Sequence, residues 1–232
     1  MTIRITAVLI LLAVFLSSPS QVDARRTYDP TGNPPEGGWP VLLYLKGYGV
    51  TQGAFDTLVE VVNGMGVSVI ALHTSQGQPK SRRKAQWNAV IEPAHSVAQA
   101  NLESLRSTGR YNLDRVYLAG YADGGIHAAL AVMAYPEYYA GALTASPATA
   151  KQYPETWDGR ERRNSLFLIH AQAEFTRESV QFLRQSWRDG GGNIRTYQYP
   201  GIKGENQYWK MAVREGLRWI MNSTPTTSVS TR

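Results

Sequence analysis

Short, mostly apolar runs alternate along this chain with segments whose apolar residues recur at helical spacing. That alternation is the tightest constraint on its fold. Val41–Leu45, Val67–Leu72, Arg115–Ala119, Ala140–Ser146, Ser165–His170 and Asn193–Tyr199 read as strands. Ala54–Met65, Pro93–Ser107, a segment ending at Ala134, Glu178–Asp189 and Asn206–Met221 read as helices. In the first of these, Phe55, Leu58, Val61, Val62 and Met65 define one apolar stripe. Apolar strands joined by helices run parallel and are covered on both faces. The expected fold class is therefore α/β, with a mostly parallel central sheet and helices on both faces. In such sheets ligands lie outside the carboxyl ends of the strands. The loops that matter then begin at Lys46, His73, Gly120, Ser146, Glu174 and Pro200. The segment Arg25–Trp39, rich in Pro and Gly, is expected to wrap the domain as an irregular arm.

The N-terminus carries a different kind of signal. Arg4 precedes an uncharged run from Ile5 to Leu16, and a polar stretch follows that ends in Val22-Asp23-Ala24. This is the pattern of a secretory signal peptide over residues 1–24, cleaved after Ala24, with an uncleaved anchor as the alternative. The apolar run is too short for a standard transmembrane helix. No stable membrane insertion is expected once it is removed. A domain over residues 25–221 and a flexible Ser/Thr-rich tail over residues 222–232 complete the expected organisation. The chain contains no cysteine, so it carries neither disulfides nor a lipid-attachment thiol. That suits a protein secreted or held in a bacterial periplasm. The formal charge of +6 is spread along the chain, and no nucleic-acid-binding module is visible.

The most specific segment is Val116-Tyr117-Leu118-Ala119-Gly120-Tyr121-Ala122-Asp123-Gly124-Gly125. A buried strand runs into Gly-x-Ala-x-Gly-Gly and directly into a helix. This resembles the nucleophile elbow of the α/β-hydrolases, Gly-x-Ser-x-Gly, in the strand–turn–helix context that motif requires. A generic glycine turn is the plainer alternative, and the spacing lacks the Gly-x-Gly-x-x-Gly form of a dinucleotide site. The resemblance extends over most of the chain. Lys46-Gly47-Tyr48-Gly49 stands where the family has its oxyanion loop, usually His-Gly-x-Gly. His170-Ala171-Gln172-Ala173-Glu174 resembles the loop bearing the acid. Tyr199-Pro200-Gly201 before the last helix resembles the segment bearing the catalytic His. Among relatives, the carboxylesterase/phospholipase and polyester-depolymerase-like branches are the most similar.

The same resemblance exposes what is missing. A serine hydrolase needs a hydroxyl nucleophile, an imidazole base and an orienting carboxylate. Here Ala122 holds the nucleophile position, Gly204 stands near the expected His position, and no histidine follows His170. Only the acid is retained, as Glu174. A laboratory Ser→Ala change would have left the His in place, so the double loss points to natural degeneration. The resemblance makes the backbone N–H groups of Asp123 and Tyr48 the oxyanion donors. The Asp123 side chain lies one position past the elbow apex and reads as a first-turn helix carboxylate. Ser75 and Ser146 sit on loops of the same face without an identifiable base. His73 could approach the pocket, while His95 and His127 read as packing or surface residues and His170 as a loop-structuring residue.

These features imply an exported esterase-like protein that is non-catalytic or weakly active and binds a ligand. An active carboxylic-ester hydrolase with an unrecognised nucleophile stays open as the alternative, and water activated by Glu174 alone as a third. Lys46, Tyr121, Lys203 and His73 are the candidate ligand-binding residues. Lys80, Arg82, Arg83 and Lys84 would add positive charge if they converge there, favouring an anionic ligand. The plainer alternative is that Lys46 and Lys203 pair with Glu174 and Glu205. Tyr48, Tyr121, Trp87 and Trp157 supply aromatic surface, for an ester-like ligand or for packing. No metal-ligand spacing and no phosphate-binding loop is present, and no cofactor is expected.

Overall fold

The structure, a computed structural model, describes residues 26–47, 50–72, 91–148, 164–172, 177–200 and 207–223. Its strands are β1 (Arg26–Tyr28), β2 (Trp39–Leu45), β3 (Ser68–Leu72), β4 (Tyr111–Tyr121), β5 (Gly141–Ala145), β6 (Ser165–Ala171) and β7 (Asn193–Tyr199). Its helices are α1 (Gln52–Asn63), α2 (Ile91–Arg106), α3 (Asp123–Ala134), α4 (Arg177–Asp189) and α5 (Gln207–Ser223). They build one seven-stranded sheet in the order β1-β3-β2-β4-β5-β6-β7. Every pairing is parallel except that of β1, which runs antiparallel to β3 with Arg26 opposite Ala71. The expected α/β class, with a mostly parallel sheet, is what the chain adopts.

Successive strand residues point to opposite faces, so each strand feeds two cores. Leu43, Leu45, Ile70, Leu118, Leu166 and Leu168 face α2, α3 and α4, where they meet Leu102, Ile126, Leu130, Leu183 and Trp187. Leu42, Tyr44, Val69, Tyr117, Leu143, Phe167 and Ile169 face the other way, onto Phe55, Leu58 and Val62 of α1 and Val213, Leu217 and Ile220 of α5. Helix α3 is buried on nearly every side, from Gly124 to Met133. This explains why its sequence is apolar all round rather than striped.

Several boundaries differ from expectation. The arm after Arg25 is not wholly irregular: Arg26–Tyr28 adds an edge strand, and the following residue anchors it. The Asp29 carboxylate accepts from Ser68 Oγ at 2.9 Å and Tyr111 Oη at 3.2 Å, and pairs with Arg110 at 3.3 Å. Strand β4 begins at Tyr111 rather than Arg115, because Trp39 and Pro40 pair with Tyr111 and Asn112 before a register shift between Pro40 and Val41. Helix α1 starts at Gln52, capped by Thr51, whose hydroxyl accepts from Ala54 N–H at 3.2 Å. It ends at Asn63, two residues before Met65. At the far end α5 continues through Asn222 and Ser223, which the sequence assigned to the tail. None of the described helices is long and apolar enough to cross a membrane.

Candidate functional site

The strand–turn–helix around Ala122 lies at the carboxyl edge of β4, in the middle of the sheet. Ala122 adopts φ 52° and ψ −118°, a conformation in which an L side chain is strained by roughly 1–3 kcal/mol. Both of its backbone groups are held. Its N–H donates to Ala145 C=O at 3.0 Å, and its C=O accepts from Ile126 N–H at 3.1 Å and Ala148 N–H at 2.9 Å. Ser146 is the other described non-glycine residue with positive φ (46°). It lies at the same edge, after β5, and its N–H donates to Ile169 C=O at 2.7 Å.

Two glycines show why this turn tolerates no side chain beside its apex. A Cβ on Gly120 would overlap the Gly124 carbonyl and come within 2.7 Å of Gly125 N. A Cβ on Gly124 would overlap Leu45 C=O and stand 3.0 Å from Gly47 N. The start of α3 is thus pressed against β4 on one side and the end of β2 on the other. The glycine pattern in the sequence is a record of these backbone-to-backbone contacts.

The β2 and β4 ends are in register, with Leu45 opposite Gly120, so Lys46 follows beside Tyr121. The structure therefore brings together Lys46, Tyr121, Ala122 and Asp123. Lys46 and Tyr121 are half-buried, and the Tyr121 ring meets Trp209 edge-on at 6.4 Å. Asp123 opens α3, where the helix dipole favours its negative charge. Its carboxylate lies over Gly47: a Cβ there would come 2.8 Å from Oδ1. The Asp123 N–H is the first of the helix, a position without an intrahelical acceptor. Tyr48, His73, Glu174, Lys203 and Gly204 lie outside the described residues, as do Ser75, Lys80, Arg82, Arg83, Lys84, Trp87, Trp157 and Glu205.

His95 and His127 are packing elements. His127 is buried within α3. His95 stacks on Tyr135 at 3.7 Å, with Nδ1 2.9 Å from Tyr139 Oη. Burial of Tyr139 pushes its phenol well above the ordinary tyrosine range. His170 is half-buried, with Nδ1 3.1 Å from Ala171 C=O. Among the described residues no group of three or more His, Asp or Glu side chains is placed to hold a metal ion.

Sequence reasoning missed one feature of this edge. An open cleft of about 510 Å³ lies between the ends of β6 and β7 and helix α4. Its signal was present as Arg177, Gln181 and Arg184 at i, i+4 and i+7, one face of a helix. What it lacked was any indication that this face overhangs polar ends of two strands.

No protein-family model matches the chain, and no curated protein matches it in sequence. Solved structures do match in shape. Est1E from Butyrivibrio proteoclasticus superposes with a TM-score of 0.61 at 12% identity, covering 86% of this chain and 93% of its own. The hyperthermophilic esterase from the archaeon Pyrobaculum calidifontis gives a TM-score of 0.67 at 14% identity, covering 86% and 80%. The Bacillus cereus carboxylesterase gives 0.65 at 13% identity, covering 90% and 98%. Together with the sheet order and the strand–turn–helix, these define the class: the chain has the esterase-like α/β-hydrolase fold.

Proposed function

We propose that this chain is an exported, catalytically silent or weakly active homologue of esterases that binds a ligand above Ala122. One observation carries the proposal. The apex keeps the positive-φ geometry suited to presenting a nucleophile, yet presents a methyl group there. A methyl has no lone pair and forms no acyl intermediate. The sequence compounds the loss, with Gly204 near the expected base and no histidine after His170. What persists is suited to holding a polar ligand rather than cleaving it. The N–H groups of Asp123 and Tyr48 would face a ligand oxygen, and Lys46 and Lys203 an anionic group. Tyr121 and His73 would complete the wall, with Glu174 left as a remnant of the triad.

The competing reading, an active ester hydrolase with another nucleophile, has Ser146 as its best candidate. The residue is 1% exposed, and among the described residues its hydroxyl has no hydrogen-bond partner to act as a base. The test is hydrolysis of short-chain p-nitrophenyl esters by the full chain, beside the paired change Ala122→Ser with Gly204→His. Methyl ferulate is a fitting second substrate, because Est1E is known with ferulic acid bound. The expected result is a native rate equal to the heat-denatured control and a measurable gain in the paired variant. A saturable native rate abolished by Ser146→Ala would overturn the proposal.

A further inference from the structure

We propose a second binding site, for a small hydroxylated oxyanion such as a sugar acid or sugar phosphate, in the cleft between α4 and the ends of β6 and β7. It lies on the same sheet edge as Ala122. Strands β5 and β6 separate β7 from β4, so the cleft stands roughly 10–14 Å from the elbow at ~4.8 Å per strand. Its floor is polar where a sheet face beneath a helix is ordinarily apolar. His170 pairs in register with Gln198, and Thr196 lies two residues back on the same face. Arg177, Gln181 and Arg184 form the opposite wall, spread over about 10 Å of helix at 1.5 Å per residue. Further down, Leu183 and Trp187 of the same helix return to the apolar core. The polar stretch is therefore confined to the open end.

Charge and hydrogen bonding identify the occupant. Both arginines are exposed, and among the described residues no carboxylate lines the cleft. Neither guanidinium has an ion-pair or hydrogen-bond partner among the described residues. Elsewhere exposed cations do find acids, as Arg195 does with Glu215 at 2.7 Å and Lys210 with Glu60 at 2.6 Å. Guanidinium forks match carboxylate and phosphate oxygens bidentately. Gln181, Gln198 and Thr196 offer donors and acceptors suited to hydroxyl groups. A volume of about 510 Å³ exceeds what a lone inorganic anion needs and lies within the range of small-molecule sites.

The experiment is isothermal titration of the full chain with glucuronate, glucose 6-phosphate and glucose at low and high salt. Arg177→Ala/Arg184→Ala and Gln181→Glu are titrated alongside, with Arg195→Ala as a charge-matched control on the other face. The expected result is saturable, salt-sensitive binding of an anionic sugar and none of glucose. Affinity falls at least tenfold in the double variant and in Gln181→Glu, which sets a carboxylate between the arginines, and is unchanged in Arg195→Ala. Preference between the two anions assigns the source as carboxylate or phosphate. No saturable binding of either anion overturns the proposal, as does binding that the double variant retains. The result is independent of the reading of Ala122, since none of these residues belongs to the elbow and no activity is measured.

Discussion

The turn at Ala122 and the cleft beside β7 occupy one edge of one sheet, and they are made from opposite materials. At the elbow, backbone presses on backbone: Gly120, Gly124 and Gly47 meet with no room for a Cβ, and the apex is fixed by three main-chain hydrogen bonds. At the cleft, side chains do everything. Trp187 and Leu183 seat α4 on the sheet, and Arg177, Gln181 and Arg184 line the cleft from the same helix. The contrast teaches that site geometry and site chemistry are stored separately. The strained turn stands with only a methyl at Ala122, because its hydrogen bonds are all made by the main chain. The cleft has no such memory; its properties change with every substitution on its walls.

The largest expected effect comes from breaking the flank by removal. Trp187 is fully buried, with Nε1 donating to Asn164 C=O at 3.1 Å. Trp187→Ala should lower stability by about 3–5 kcal/mol, read by urea denaturation. A loss under about 1 kcal/mol would mean that α4 is not seated by this ring. The elbow should break by addition instead. Gly124→Ala drives a methyl into Leu45 C=O, and a loss of about 1–3 kcal/mol or failure to fold is expected. A fully stable Gly124→Ala protein would show that the close approach of α3 to β2 is dispensable.

The far end of α3 sharpens the comparison through pH. Tyr139 is buried, with its phenol beside His95, and burial holds its folded-state pKa above the unfolded value of about 10. Its contribution is therefore fully present below pH 10 and is lost as pH rises beyond that, because only the unfolded chain readily releases the proton. Denaturation midpoints should fall above pH 10, and less steeply in Tyr139→Phe. An identical slope in that variant would remove Tyr139 as the cause. The smallest effect is expected at the apex itself. Ala122→Gly relieves positive-φ strain of about 1–3 kcal/mol, against a lost methyl of about 0.8 kcal/mol and added unfolded-chain entropy of similar size. Stability should hold or rise slightly, whereas Ala128→Gly inside the helix that follows should cost about 1 kcal/mol or more. A clear loss at Ala122 would show that the turn is not strained.

Most of the framework was legible because burial is written locally. A strand between two helical layers is apolar at consecutive positions, and β2, β3, β4, β5 and β6 all declared themselves that way. The glycines around Ala122 were legible for the same reason, since a turn without room for side chains leaves its mark within six residues. Strand β1 was not. Three residues that pair at an edge, anchored by Asp29 to partners more than thirty positions away, carry no period to read. The cleft was invisible on similar grounds. Each wall was a plausible solvated surface alone, and only their apposition gives it meaning.

The sequence by itself determined the class of fold, the place of the elbow and the absence of a hydroxyl at its apex, because each is a property of neighbours along the chain. The tertiary structure alone decided the strand order, the antiparallel edge, the positive φ of Ala122 and the meeting of Arg177 and Arg184 with Gln198. Those depend on which surfaces pack together, and pairing across the sheet is settled by the global fit of two cores rather than by any local signal.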